Sequence, residues 1–198
     1  MSREMWDQRY ADEEYVYGTT PNVFFKQELD KLKPGKILLP AEGEGRNAVY
    51  AASMGWDVYA FDQSEEGRRK AIRLAEEKKV VITYVLSDLE NAEYQEEFFD
   101  AIGLMCVHSP GEKRQLVHRN LSRFLKPGGT LILTGFSKEQ LQFTSGGPKE
   151  LSWLFSVEEL KADFEAFSSC RIEHSETLIE EGPYHKGMAS MIQMVAVK

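Results

Sequence analysis

Two carboxylates alternate with two glycines in one short segment, where Glu42, Gly43, Glu44 and Gly45 follow an apolar run. Glycine adopts positive φ at little cost and lets the backbone come close to a bound molecule. Asp62, about 20 positions further on, ends the next apolar run, and a carboxylate in that place accepts hydrogen bonds from the two hydroxyls of a ribose. These residue types at this spacing predict a nucleoside-binding site.

The spacing of Gly43, Gly45 and Ala48 also satisfies the G-x-G-x-x-G/A pattern of dinucleotide-binding folds. A dinucleotide would place its pyrophosphate beside Glu42 and Glu44, where like charges in a partly dry site cost on the order of a kcal/mol or more. S-adenosylmethionine carries no phosphate and has a positive sulfonium centre, so it avoids this repulsion. We therefore predict S-adenosylmethionine as the cofactor. The glycine spacing leaves open the alternative of a nicotinamide (NAD)-dependent oxidoreductase.

The elements that must position these residues form a βαβ unit. An apolar run at 37–39 precedes the glycine loop, a helix-like segment follows the loop, and a second apolar run at 58–61 leads to Asp62. Open α/β sheets bind ligands at the carboxyl ends of their strands, near the point where the strand order reverses. A fourth predicted strand, 98–105, reaches that point. His108, just beyond it, is a candidate for the reaction centre, as a base near neutral pH or as a polar wall.

Capping signals mark three helices. Thr20 followed by Pro21 predicts a helix N-terminus, and Ser64 predicts another directly after the second strand. Ser156 and Glu159 match the capping box. Strands are predicted at 80–85, 171–179 and 189–197. Because the last two are close in sequence, we expect them to form an antiparallel pair at the edge of the sheet.

The segment Ala-Glu-Gly-Glu-Gly-Arg-Asn, followed by Phe-Asp, resembles the first two motifs of the class I S-adenosylmethionine-dependent methyltransferases. The resemblance extends over nearly the whole chain. The small tellurite-resistance and thiopurine methyltransferase-like group is the most similar in two further stretches: Trp-Asp-Gln-Arg-Tyr (6–10) with Tyr-Gly (17–18) and Pro-Asn (21–22), and Glu-Gly-Pro-Tyr-His-Lys-Gly (181–187). Three positions depart from the family pattern: Leu39 replaces an acidic residue, Ala41 replaces a glycine, and Pro40 is unusual at a strand end.

The resemblance implies a doubly wound α/β fold with a seven-stranded, mostly parallel, Rossmann-like sheet and an antiparallel C-terminal strand at the edge. We expect a single methyltransferase domain over 1–198, with 1–35 as an N-terminal lid and helix and 36–198 as the Rossmann-like core.

The resemblance also implies site residues. The backbone of Glu42 and Gly43 should line the cofactor, with Asp62 at the ribose, Gln63, Asp88 and Leu89 at the adenine, and Val107 at the methionine end. Trp6 and Tyr10 correspond to cofactor-covering positions, so the full predicted cofactor set is Trp6, Tyr10, Glu42, Gly43, Gly45, Asn47, Asp62, Gln63, Asp88, Leu89 and Val107. On the acceptor side we predict Tyr17, His108, Tyr184 and His185.

Methyl transfer from a sulfonium is an in-line displacement, so the protein mainly has to align the donor carbon with the acceptor atom and exclude water. A soft acceptor, such as a thiolate, selenolate or tellurium oxyanion, needs little or no general base, and no catalytic residue is predicted. The altered Leu39, Pro40 and Ala41 leave a third hypothesis open, a non-catalytic S-adenosylmethionine-binding protein.

The composition of the chain argues against several other classes of protein. The chain has 198 residues with 42% hydrophobic content, which suits one globular domain. A formal charge of −8, with no long block of like charges, argues against a nucleic acid partner. No apolar run approaches the roughly 18 residues of a membrane helix, and the two cysteines show no zinc spacing. We expect a cytoplasmic protein that acts on a small molecule, without a metal; the sequence leaves its oligomeric state open.

Overall fold

Strands and helices alternate along residues 2–198, which are the residues that the computed structural model describes. The strands are β1 (Lys36–Pro40), β2 (Asp57–Asp62), β3 (Thr83–Leu86), β4 (Phe99–Met105), β5 (Leu125–Phe136), β6 (Ser169–Glu180) and β7 (Lys186–Val197). The α-helices are α1 (Arg3–Tyr10), α2 (Val23–Leu29), α3 (Arg46–Ser53), α4 (Glu65–Lys78), α5 (Gly111–Arg123) and α6 (Val157–Asp163). Met1, the first residue of the predicted lid, lies outside the described residues.

The strands form one seven-stranded sheet in the order β3-β2-β1-β4-β5-β7-β6. The strands from β1 to β5 are parallel, and β7 runs antiparallel to both β5 and β6. The predicted doubly wound, mostly parallel sheet is confirmed. The antiparallel pair forms one edge of the sheet, as expected, although β6 is the outermost strand and the C-terminal β7 lies one strand in. The strand order reverses between β1 and β4, which places the ligand-binding crevice at their carboxyl ends.

The sheet is buried on both faces. Alternate residues of a strand point to opposite faces, and in β1 the side chains of Ile37 and Leu39 join the core beneath α2, α3 and α4. Leu38 joins the core beneath α5 and α6. Burial on both sides explains why the strands next to the crevice are continuous apolar runs in the sequence.

Two of the predicted helix caps are confirmed. Ser64 accepts a hydrogen bond from the Gly67 amide at 3.0 Å, and Ser156 with Glu159 forms the full capping box of α6. The helix N-terminus predicted from Thr20 and Pro21 was wrong by two residues. Asn22 caps α2, because its side-chain oxygen accepts from the Phe25 amide at 3.0 Å.

The third strand was predicted to begin at Val80 and instead begins at Thr83. Lys79 adopts left-handed φ of 58° at the end of α4, and the Val80 amide donates to the Ala75 carbonyl at 3.0 Å. Val80 therefore completes the C-terminus of α4, which the apolar pattern alone could not distinguish from the start of a strand. Among the helices of residues 2–198, none is long and apolar enough to cross a membrane.

Candidate functional site

A cleft of about 690 Å³ opens at the carboxyl ends of β1 to β4. Its lining includes every predicted site residue except Gly43 and Gly45, namely Trp6, Tyr10, Tyr17, Glu42, Asn47, Asp62, Gln63, Asp88, Leu89, Val107, His108, Tyr184 and His185. Residues that are distant in sequence thus share one cavity. Its volume is within the range of small-molecule and cofactor sites.

Glu42 occupies the N-terminus of α3. Its carboxylate oxygen Oε1 accepts hydrogen bonds from the amides of Asn47 and Ala48, each at 2.8 Å, and Oε2 accepts from Asn47 Nδ2 at 3.2 Å. Burial raises the pKa of the Glu42 carboxyl to about 7, although these hydrogen bonds act in the opposite direction. Dinucleotide folds bind pyrophosphate at a helix N-terminus of this kind. Because Glu42 already satisfies those amides, the loop does not fit a phosphate.

Asp62, at the end of β2, is held by backbone amides. Oδ1 accepts from Ser64 N at 2.8 Å and Oδ2 from Gly43 N at 3.1 Å. Burial raises the pKa of this carboxyl to about 6. The Gln63 amide also acts on this carboxylate. Because a carboxylate has about four acceptor sites, Asp62 can still accept a hydroxyl donor from the cleft, as the prediction of a ribose contact requires.

The two loop glycines allow close packing, and their predicted contact with the cofactor stays a prediction. Gly43 has φ of 59°, and a Cβ there would lie 2.6 Å from the Tyr10 hydroxyl. Gly45 has φ of 86°, and a Cβ would lie 2.5 Å from Ala71 Cβ. The glycines therefore let the loop approach α1 and α4 closely.

The departures from the family pattern preserve the shape of the loop. Ala41 has φ of 49°, the left-handed conformation that glycine adopts without strain. Pro40 lacks an amide hydrogen, and the pairing of β1 with β4 ends at Leu38, before Pro40 is reached. Leu39 is fully buried in the apolar core beneath α2 to α4 and does not line the cleft.

Glu44 was predicted to repel a pyrophosphate, but its charge is compensated. Its carboxylate lies 2.6 Å from Lys70 Nζ, and both side chains are buried. The Lys70 ammonium also donates to the carbonyls of Asp12 and Glu14, at 2.8 and 2.5 Å, while Glu44 accepts from the Val16 amide at 2.9 Å. We call this arrangement the Lys70 clasp. It fixes segment 12–16 against α4.

A second set of contacts holds α1 over the cleft. Asp7 accepts from Ser64 Oγ at 2.6 Å and from the Glu66 amide at 3.3 Å, so it binds the N-terminus of α4. Trp6 and Tyr10 stack with their ring centroids 5.4 Å apart and line the cleft. This part of the predicted lid 1–35 therefore lies where an aromatic cover is needed.

Asp88 lies at the rim of the cleft, and its side chain forms hydrogen bonds to residues of its own turn. Its carboxylate accepts from the amides of Glu90 and Asn91 at 2.9 and 2.8 Å, and from the Asn91 side chain. Asp88 thus stabilises the turn after β3. Its contact with adenine stays a prediction, as does that of Leu89 beside it.

His108 has no free ring nitrogen. Phe136 N donates to Nε2 at 3.1 Å, and Nδ1 lies 2.8 Å from the Trp153 carbonyl oxygen. A backbone amide can only donate and a carbonyl can only accept, so the ring is neutral with its proton on Nδ1. Burial lowers the pKa of His108 to about 4. The structure therefore contradicts a role as a base, and His108 is a polar wall that joins two backbone segments.

The neighbouring cysteine is equally unreactive. Cys106 has φ of 56°, and burial raises the pKa of its thiol to about 12, so that it stays protonated. This positive φ redirects the chain after β4 and brings Val107 into the cleft lining.

The turn between β6 and β7 forms the opposite wall. Arg46 donates to Glu181 Oε2 at 2.7 Å and to the Tyr17 carbonyl at 3.2 Å. His185 is buried, with Nδ1 3.8 Å from Glu181 Oε2 and its ring 4.5 Å from that of Tyr17. Burial would raise the pKa of Glu181, but His185 and Arg46 lower it to about 2. The predicted acceptor residues Tyr17, Tyr184 and His185 meet here.

Sequence reasoning missed three charged residues of this wall and its surroundings: Arg9, Arg46 and Glu181. Each lies inside a segment that carried the family resemblance, yet nothing in the chain order indicates that Arg46 and Glu181 pair across 135 positions. It also missed Phe136 and Trp153, whose apolar surfaces line the cleft. No group of three or more His, Cys, Asp or Glu side chains within residues 2–198 is arranged to hold a metal ion.

Comparison with known proteins agrees with this geometry. A family model described as a methyltransferase domain matches residues 38–133. The probable S-adenosyl-L-methionine-dependent methyltransferase TehB of Haemophilus influenzae is 25% identical over 157 residues, which are 78% of this chain and 52% of TehB. These matches support the predicted resemblance to the class I S-adenosylmethionine-dependent methyltransferases, and with it the predicted cofactor, S-adenosylmethionine.

Solved structures show the same methyltransferase fold. The structure of TehB from Haemophilus influenzae has a TM-score of 0.71 at 20% identity and covers 99% of this chain and 66% of that one. A structure described under the conversion of a disulfide bond into a thioacetal group during echinomycin biosynthesis has a TM-score of 0.74 at 17% identity, covering 99% and 91%.

A third solved structure is the Haemonchus contortus phosphoethanolamine N-methyltransferase 2, in complex with phosphomonomethylethanolamine and S-adenosylhomocysteine. It has a TM-score of 0.72 at 18% identity and covers 97% of this chain and 57% of that chain. The chain spans about half the length of the curated relatives that it matches.

The Lys70 clasp should control the stability of the lid. In Lys70→Met, the buried Glu44 carboxylate and two carbonyls lose their partner, and breaking a buried pair costs about 3–5 kcal/mol. We expect a lower free energy of unfolding and faster amide hydrogen exchange in segment 12–17, measured by chemical denaturation and by mass spectrometry. Lys26→Met, which removes an exposed pair with Asp30, is the control and should change little. Equal protection of segment 12–17 in both variants would contradict the clasp.

Glu42 should make stability depend on pH. Its pKa is raised from 4.5 to about 7 in the folded state, so its contribution is largest below pH 4.5 and is lost as the pH rises through 7. Glu42→Gln removes this dependence. The variant should therefore gain stability relative to the natural chain between pH 5 and pH 8, by roughly 3 kcal/mol for a shift of this size. Comparing urea unfolding of the two proteins cancels the other titrating groups. A difference that is constant with pH would show that Glu42 titrates normally.

Proposed function

We propose that this chain transfers the methyl group of S-adenosylmethionine to a small-molecule acceptor whose reacting atom is a soft nucleophile, a thiol or a chalcogen oxyanion. The observation that carries the proposal is the chemistry of the cleft at the end of β4. His108 is neutral with both nitrogens bonded, and Cys106 is a protonated thiol. The side chains at the end of β4 therefore offer no base to an acceptor that reacts there.

The cofactor half of the cleft fits S-adenosylmethionine. Asp62 offers carboxylate oxygens at the end of β2, Trp6 and Tyr10 provide an aromatic cover, and Glu42 blocks the amides that a pyrophosphate would need. When bound, this cofactor supplies an electrophilic methyl group on a positive sulfur. Aromatic faces stabilise such a cation by roughly 0.5 to 2 kcal/mol. Asp62 would hold the ribose, and Trp6 with Tyr10 would exclude water from the reacting atoms.

The acceptor half is built from the turn between β6 and β7 and from Tyr17. His185 and Tyr184 project beside Tyr17, and Glu181 with Arg46 fixes the turn against α3. These residues would orient the acceptor atom in line with the methyl group, and such alignment supplies much of the acceleration of a displacement. One protein of the same fold converts a disulfide bond into a thioacetal group during echinomycin biosynthesis, which is an analogy for a sulfur acceptor.

His185 is suited to accept a proton from a thiol. The Glu181 carboxylate lies 3.8 Å from His185 Nδ1 and would stabilise the protonated ring. A chalcogen oxyanion already carries negative charge near neutral pH, reacts through the lone pair of the chalcogen and would not need this step. The two acceptor classes should therefore respond differently to substitution of His185.

Cofactor binding can be tested by calorimetry with S-adenosylmethionine, S-adenosylhomocysteine and NAD in parallel. We expect micromolar binding of the first two and none of NAD, because Glu42 occupies the phosphate position. Asp62→Ala should weaken the binding by about tenfold or more, since a charge-assisted hydrogen bond to the ribose is lost. Asp57→Ala, an exposed aspartate at the start of the same strand, is the control. Binding of NAD alone would refute the proposal.

Turnover with radiolabelled S-adenosylmethionine tests the acceptor. A panel of thiols, selenite and tellurite should include methylated products, whereas cofactor binding without transfer across the panel favours the non-catalytic hypothesis. With a thiol, His185→Gln should lower kcat/KM by about tenfold or more at pH 7 and much less near pH 9, where the free thiol ionises by itself. With an oxyanion the effect should be small. His174→Gln, which alters a histidine outside the cleft lining, is the control. An equal loss at both pH values would exclude proton transfer by His185.

A further inference from the structure

Arg9 is a cation inside the cleft with no carboxylate partner in the described part of the chain. Its guanidinium carbon lies 4.7 Å from the ring centroid of Trp6 and 5.1 Å from that of Tyr184. The hydrogen bond that the structure records for it runs from Nη1 to the Tyr17 hydroxyl at 3.1 Å. Arg46 pairs with Glu181, and Lys113 with Glu90. Arg9 differs from these two cleft-lining residues because its charge is not neutralised.

The surroundings of Arg9 restrict its motion. The rings of Trp6 and Tyr184 lie on the guanidinium, and Tyr17 fixes one nitrogen. The side chain is therefore preorganised, although an exposed arginine normally moves freely. A guanidinium has five N–H donors in a planar fork, and its remaining donors match the spacing of two oxygens of an oxyanion.

Tyr17 adds a second donor. Its oxygen accepts from Arg9, and the chain within residues 2–198 offers no recorded acceptor for its own proton. Burial raises the pKa of the Tyr17 phenol, so the hydroxyl keeps this proton near neutral pH. The Tyr17 O–H and the guanidinium fork thus belong to neighbouring groups that are in direct contact at the wall of the cleft.

Charge is divided along the cleft. The carboxylates of Glu42, Asp62 and Asp88 lie at the ends of β1, β2 and β3. Arg9, together with Tyr184 and His185, lies where α1 meets the turn between β6 and β7. Glu181 also lies in that turn, but Arg46 neutralises it. An anionic group would therefore be repelled at the first end and attracted at the second.

We propose that Arg9 and Tyr17 form an oxyanion-binding subsite, which takes a carboxylate or another oxyanion of a ligand in the cleft. The proposal rests on the proposed function, because it assigns ligand chemistry to the same cavity. Two ligands could supply the anion: the amino acid end of the cofactor, or the acceptor itself. The shared chemistry is a planar or tetrahedral oxyanion, recognised by a fixed guanidinium and a phenol.

The test compares three probes by calorimetry on the full chain. S-adenosylhomocysteine has the carboxylate, 5′-methylthioadenosine shares its adenosine and thioether without the amino acid end, and selenite is titrated into protein saturated with S-adenosylhomocysteine. The variants are Arg9→Gln and Tyr17→Phe. Arg3→Gln removes an arginine of the same helix whose exposed side chain pairs with Asp7 and Glu65, and it is the matched control. Thermal unfolding of each variant verifies that it is folded.

We expect Arg9→Gln to weaken one oxyanion probe by about tenfold or more, the usual size for a charge-assisted hydrogen bond, and Tyr17→Phe to weaken the same probe less. If the variant loses affinity for S-adenosylhomocysteine while its affinity for 5′-methylthioadenosine is unchanged, the subsite binds the cofactor carboxylate. If the variant loses affinity for selenite while its affinity for S-adenosylhomocysteine is unchanged, the subsite belongs to the acceptor. Either result supports the subsite.

Two results would overturn it. If Arg9→Gln binds all three probes as Arg3→Gln does, the guanidinium recognises no anion. If it weakens 5′-methylthioadenosine as much as S-adenosylhomocysteine, Arg9 only holds the aromatic cover in place. Failure of the natural chain to bind S-adenosylhomocysteine would instead refute the proposed function, so the two failures are distinguishable.

Discussion

The buried ion pair between Lys70 and Glu44 is the constraint on which the rest of the site depends. Glu44 belongs to the loop after β1, and Lys70 belongs to α4, so the pair joins two consecutive units of the fold. A buried ammonium needs several acceptors, and the carbonyls of Asp12 and Glu14 complete its shell. Satisfying this one charge therefore requires the N-terminal segment to wrap over α4. The preceding helix α1, anchored by Asp7, brings the aromatic side chains Trp6 and Tyr10 to the cleft.

The same loop shows how neighbouring glutamates can differ in chemistry. Glu44 is neutralised by a cation, whereas Glu42 has backbone amides as its main partners and is buried. Amide dipoles stabilise a carboxylate less completely than an ammonium does, and burial raises the pKa of Glu42 to about 7. Asp62, also held by amides, follows the same rule with a pKa of about 6. The half of the cleft proposed for the nucleoside thus contains carboxylates that a nearby positive sulfur would stabilise in the charged form.

The sequence predicted the sheet, its βαβ unit and most of the cleft lining, because these follow from apolar periodicity and from strand ends that must meet at one edge. It could not predict the partners of polar residues. Glu44 was predicted to repel a pyrophosphate, but Lys70 neutralises its charge. His108 was predicted as a base or a polar wall, and the backbone of Trp153 and Phe136 binds both of its ring nitrogens. These contacts join positions between 26 and 45 residues apart. Spacing in sequence carries no information about them. The cap of α2 was predicted at Thr20 and lies at Asn22 for a related reason, because the position of a cap depends on how the first turn of the helix packs against the rest of the chain.

The groups at the end of β4 explain how a site can be reactive while its own side chains are not. His108 and Cys106 are both held in their neutral forms by burial, and each fixes backbone: His108 bonds to Phe136 and Trp153, and the Cys106 amide donates to the Thr134 carbonyl at 2.7 Å. A charged or mobile group there would compete with an acceptor for an electrophilic methyl group. Neutral, hydrogen-bonded groups instead give a rigid wall. In a displacement reaction the rate depends on alignment and on the exclusion of water, so rigidity at this position is the contribution that the chain itself can make.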